Sequence, residues 1–80
     1  MTTRAYTAIR ALRSGQVLDL DGLLLRAAPG EIAPGDLYVA ERNSGPVLLT
    51  ARSIDARGWI LSRENGYPYD WSECVKVQEA

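Results

Sequence analysis

From residue 16 onward the chain is cut by a turn sequence every few residues. Asp21-Gly22, the stretch Ala28-Pro29-Gly30-Glu31-Ile32-Ala33-Pro34-Gly35-Asp36, Asn43-Ser44-Gly45-Pro46, Asp55-Ala56-Arg57-Gly58 and Glu64-Asn65-Gly66 are the breaks. The runs between them suit short strands and are too short for stable helices. Gln16 to Leu20 and Leu23 to Ala27 flank Asp-Gly, the pairing favoured in two-residue hairpin turns. Leu37 to Arg42 alternates, with Leu37 and Val39 opposite Tyr38 and Ala40. Val47 to Ser53 alternates again, Val47, Leu49 and Ala51 facing away from Leu48, Thr50 and Arg52. Trp59 to Arg63 and Cys74 to Val77 complete a set of five or six strands, the pattern of a small antiparallel barrel over residues 16–78.

Before residue 16 the period is helical. Ala5, Ala8, Ile9 and Leu12 share one face and predict a helix over residues 3–14, with Thr2 or Thr3 as its cap and Gly15 just past its end. Tyr6, Arg10 and Arg13 fall on one flank and Arg4 on the other. Arg4, Arg10 and Arg13 read first as the solvated side of an amphipathic helix, with cations favoured near its C-terminus. The alternative is a stripe that contacts an anionic partner. The whole is expected to be one mainly β (α+β) domain, residues 1–80, with an N-terminal helix ahead of the barrel.

The closing third carries the aromatic rings. Trp59, Tyr67, Tyr69 and Trp71 lie close together in a chain with no Phe and no His. Asp70-Trp71-Ser72-Glu73 has the form of a capping box and predicts one short helical or 3₁₀ turn. A hairpin turn, an aromatic-Pro-aromatic stretch, that single turn and a short last strand resemble the terminal portion of SH3-like barrels, over roughly residues 35–78. The resemblance implies a fold and not a ligand, because the Ala-Leu-Tyr-Asp-Tyr segment of signalling SH3 domains is missing. Gly35 to Asn43, with Tyr67-Pro68-Tyr69-Asp70 and Glu73 to Val77, is also similar to small uncharacterised proteins of bacterial phages, plasmids and gene cassettes, a resemblance that implies no activity.

Chemistry is mostly excluded. Nucleophilic catalysis by Ser or Cys normally needs a positioned base, most often His, and the chain has none. One cysteine, Cys74, allows no internal disulfide and no structural zinc site, and it is expected to be a buried, inert thiol. A reactive Cys74 would need nearby positive charge, for which Lys76 lies on the same strand face. Asp19-Leu20-Asp21-Gly22 resembles part of a calcium loop but lacks the remaining ligands and reads as a turn. No phosphate-binding glycine motif is present. No metal and no cofactor are expected. No apolar run approaches the roughly 20 residues a bilayer-spanning helix needs, and Met1 to Leu12 is not a signal peptide, so a cytoplasmic location and no membrane contact are expected.

Contact chemistry remains. Tyr67, Tyr69 and Trp71 flank turns, so at least one ring should be exposed; Trp59, after Gly58, is expected in the core. Arg42, Arg52 and Arg63 lie on strands as possible neighbours of the rings, and Arg beside aromatics suits carboxylates, phosphates and stacking. These six residues form the expected binding surface. A chain of 80 residues has a thin core, and with disulfide and metal gone self-association is the remaining staple. The leading expectation is therefore a non-enzymatic protein-binding adaptor or regulator, with a protein partner or itself as a homo-oligomer. A nucleic-acid-binding barrel is the alternative, weighed down by a pI near 5.2. A small-molecule site between subunits, as in the SH3-like plasmid dihydrofolate reductases, is a fold-level analogy.

Overall fold

The computed structural model describes residues 7–42 and 45–80. Its helix, α1 (Thr7–Arg13), ends as the sequence requires. Gly15 takes φ 93°, its N–H meets the Leu12 carbonyl at 3.0 Å, and the Gln16 N–H meets the Ala11 carbonyl at 3.0 Å. This is a Schellman closure, and it consumes the residues that would have begun the first strand. Arg4 and the expected caps Thr2 and Thr3 lie outside the described residues.

Among the described residues seven strands follow: β1 (Leu18–Leu20), β2 (Leu23–Ala27), β3 (Leu37–Arg42), β4 (Gly45–Ile54), β5 (Ile60–Ser62), β6 (Pro68–Tyr69) and β7 (Cys74–Glu79). Five or six were expected. The added one is β6, two residues beginning with a proline, which pairs Tyr69 with Ile60 and Pro68 with Leu61. All pairings are antiparallel, in the order β1-β2-β7-β3-β4-β5-β6, and the sheet curls into a half-barrel. Leu20 pairs with Leu23 across Asp21-Gly22. Both turn residues have positive φ, 54° and 87°, as a type I′ turn demands. Asp19 accepts a hydrogen bond from the Gly22 N–H at 2.9 Å, which makes this carboxylate a turn brace.

The central strands are covered on both faces. Tyr38, Ala40 and Cys74 pack with Leu49, Ala51, Ile60 and Tyr69 inside the curl. Val39, Val75 and Val77 pack on the other face against Ile9 and Leu12 of α1 and Leu25 of β2. Four successive residues of β3, Tyr38 to Glu41, are thus buried. Glu41 is only 2% exposed; its carboxyl oxygen accepts the Ile9 N–H at 3.1 Å, one of the donors that a helix start leaves unpaired.

Three further surface carboxylates accept main-chain hydrogen bonds. Asp36 accepts from the Ala33 N–H at 2.8 Å and pairs with Lys76 at 3.3 Å. Asp55 accepts from the N–H groups of Trp59 and Arg57. Glu64 accepts from the Thr50 N–H and hydroxyl. These bonds hold all three carboxyls below their ordinary range, against a smaller opposing effect of desolvation. A carboxyl whose pKa is lower folded than unfolded contributes stability above its unfolded pKa and loses it as pH falls. The melting temperature is therefore expected to hold near neutrality and to fall once pH drops through about 4.5, the ordinary glutamate value. Thermal melts from pH 7 to pH 3 check this, and Glu64→Gln should flatten part of the slope.

Candidate binding groove

An open groove of about 580 Å³ lies at the mouth of the curl. Three local structures form its walls. The first is the 28–36 segment. The Gly35 N–H bonds the Ala51 carbonyl at 2.8 Å, and the Ala51 N–H bonds the Asp36 carbonyl at 2.9 Å. Lys76 reaches across to Asp36. So held, the segment sets Ile32 against the inner core.

The second wall is the β4–β5 turn. Ala51 pairs with Ser62, but Ser53 pairs with Leu61 and Ile54 with Ile60, so β4 carries a bulge at Arg52. The extra residue reverses the alternation and brings Ile54 back to the side of Ile60. Asp55 then closes the turn: its N–H donates to the Trp59 carbonyl at 2.9 Å, and its side chain takes the Arg57 and Trp59 N–H groups. Trp59 was expected in the core. It is half-buried instead, outside both core clusters, with the Arg57 guanidinium 5.1 Å from its ring centre.

The third wall is the 3₁₀ turn Trp71–Glu73. Its capping box forms as the sequence implies: Asp70 accepts the Ser72 N–H at 3.0 Å, and Glu73 accepts the Asp70 N–H at 3.3 Å. The turn has no buried side chain and leaves Trp71 67% exposed on the groove rim. Beneath it, Arg13 Nη2 donates to the carbonyls of Trp71, Ser72 and Cys74 at 3.1–3.4 Å. The last turn of α1 is thereby tied to the groove.

The six expected surface residues separate. Trp71 borders the groove. Tyr67 is 58% exposed but does not line it, and Tyr69 is 6% exposed within the inner core. Arg42 clamps that buried ring: its guanidinium lies 4.4 Å from the Tyr69 centroid, donates to the Pro68 carbonyl and pairs with Glu73 at 3.9 Å. Arg52 and Arg63 are exposed. Arg63 alternates with the inward Ser62, and Arg52 sits in the bulge, so neither joins Trp71 at the groove. Of the helix arginines, Arg10 is exposed and Arg13 reaches the groove. Ile32, Ile54, Ile60 and Lys76 were not anticipated as lining. An isoleucine alone in a Pro-Gly segment, and another out of phase at the end of β4, were the available signals.

Cys74 lies in the groove floor but is only 4% exposed. Burial, and then the carboxylates of Glu73 and Asp70, push its thiol up to about 12, against weaker opposition from Arg13 and Arg42. Lys76 is engaged with Asp36 rather than activating the thiol. Native protein at pH 8 should therefore react with a chromogenic disulfide reagent far more slowly than the same chain in urea. Equal rates would contradict this burial. Among the described residues no three His, Cys, Asp or Glu side chains gather as a metal site needs, and no helix is long and apolar enough to cross a membrane.

No family model, curated protein or solved structure matches this chain.

Proposed function

We propose that this protein is a non-enzymatic binding module that holds an extended segment of a partner protein in the groove under Trp71. The observation that carries this reading is the exposed indole on the rim of an apolar-floored groove of ligand-site size. A large, rigid aromatic ring supplies contact area at low entropic cost and is a frequent anchor at interfaces. The capping box and the Arg13 ties fix the backbone that bears it, so little order remains to be imposed on binding. An SH3-like organisation of the half-barrel accords with the run of hairpin turn, proline-containing strand, 3₁₀ turn and last strand. The nucleic-acid alternative has less support, because Arg42 is bound to Tyr69, Pro68 and Glu73 within the chain.

Trp71→Ala is expected to weaken a peptide ligand selected on the wild-type protein by at least about tenfold, with an unchanged melting temperature, since the ring contributes little to the core. Fluorescence polarisation of the labelled peptide measures the first and a thermal melt the second. Unchanged affinity would remove the groove from consideration.

A further inference from the structure

Charge around the groove narrows what it accepts. Three charged side chains line it: Arg13, Lys76 and Glu31. Lys76 is neutralised by Asp36 at 3.3 Å and also reaches the Glu31 carbonyl at 3.5 Å. Arg13 differs. Its hydrogen bonds go through Nη2 to three main-chain carbonyls, and among the described residues it has no carboxylate partner. Glu31 lies on the 28–36 wall, so the groove holds an acid as well as bases, and the guanidinium beside the exposed Trp71 indole is the lining cation that no carboxylate pairs among the described residues.

Resting on the groove as the binding site, we propose that the occupant is an internal linear segment of a partner protein carrying an apolar side chain and, close to it, an aspartate or glutamate. The apolar group lies against Ile32, Ile54 and Trp71, and the carboxylate pairs with Arg13. The carbonyls around Nη2 hold the guanidinium in place, and the N–H groups of Nε and Nη1, with no acceptor among the described residues, remain for an acid. Guanidinium geometry suits a carboxylate. An acidic side chain is favoured over a chain terminus because the Arg13 end of the groove is bordered by carbonyl oxygens. A terminal carboxylate is typically captured by a nest of main-chain N–H groups.

The test uses positional-scanning libraries of N-acetylated, C-terminally amidated decapeptides, read by fluorescence polarisation against wild type, Trp71→Ala and Arg13→Gln. The expected result is retention of peptides with Asp or Glu beside a large apolar residue and binding that weakens as salt rises. Arg13→Gln should abolish the acid preference while the apolar preference persists, and Trp71→Ala should abolish binding. Arg13→Lys keeps the charge and should retain the acid preference in part, which separates the pairing from any loosening of the 3₁₀ turn. Trp71-dependent binding without an acid preference, or with a proline preference alone, overturns this inference and leaves the groove reading standing. Binding indifferent to Trp71, or no retained peptide, overturns both. Binding only by peptides with a free C-terminal carboxylate also overturns it.

Discussion

Tyr38→Ala should lower the unfolding free energy by about 3–5 kcal/mol, while Tyr38→Phe should fold and be at least as stable as the wild type. Tyr38, the second residue of β3, is fully buried and is the largest of the completely buried side chains among the described residues. It joins Leu49, Ala51, Ile60, Tyr69 and Cys74 in the inner core. Removing a buried aromatic ring costs about 3–5 kcal/mol, and a domain of this size has only about 4–12 kcal/mol to lose. The hydroxyl has the opposite sign. Among the described residues it has no hydrogen-bond partner. Burial, with the Cys74 thiol nearby, raises its pKa well above the ordinary phenol value. Ser62 works against that rise, but its hydroxyl is engaged with Asn65 and Gly66. An unpaired buried hydroxyl costs about 1–3 kcal/mol, so phenylalanine should be neutral or stabilising. Urea unfolding followed by circular dichroism measures both. A phenylalanine variant less stable by more than about 1 kcal/mol would mean that the hydroxyl has a partner.

Glu41→Ala should lower stability by about 2–3 kcal/mol and loosen α1, whereas Glu41→Gln should cost about 1 kcal/mol. The carboxylate is buried between β3 and the helix start and receives the Ile9 N–H. Alanine leaves that donor unpaired inside the protein, and an unsatisfied buried group costs more than the bond was worth. Glutamine keeps an oxygen acceptor and gives up mainly the charge assistance, together with the favourable placement of a negative charge at a helix start. Amide exchange at Ile9 is the discriminating measurement: it should accelerate strongly in the alanine variant and modestly in the glutamine variant. If the two variants exchange alike, Glu41 acts through packing alone.

Features closed within a few residues were legible in the sequence. The Asp21-Gly22 hairpin, the Gly15 helix stop and the Asp70–Glu73 capping box each depend on side-chain and φ preferences of neighbours, and each forms. Features made by distant partners were not. Alternation in β3 suggests one wetted face, but α1 covers Val39 while the curl covers Tyr38 and Ala40. Tyr69 resembles the exposed Tyr67 in its turn-rich surroundings. Its burial is decided by β5 and by the Arg42 guanidinium, 4.4 Å away and 27 positions earlier in the chain. The groove depended most on what the sequence concealed: an extra residue in β4 turns Ile54 inward, and a helix arginine meets a 3₁₀ turn far along the chain.

The place of β7 has a consequence in time. It is the last strand in chain order, yet it lies between β2 and β3 and contributes Cys74 to one core and Val75 and Val77 to the other. α1 and the β1–β2 hairpin on one side and the β3–β6 meander on the other also meet through Val39 and the Ile9–Glu41 bond, but only this strand joins them into one sheet. Pairings that span so much sequence are slow to form, because loop closure must precede the contacts that reward it. Before β7 is made, β2 and β3 therefore each have an open strand edge, and until β7 emerges from the ribosome those edges are where a chaperone, or another nascent copy, would meet the chain.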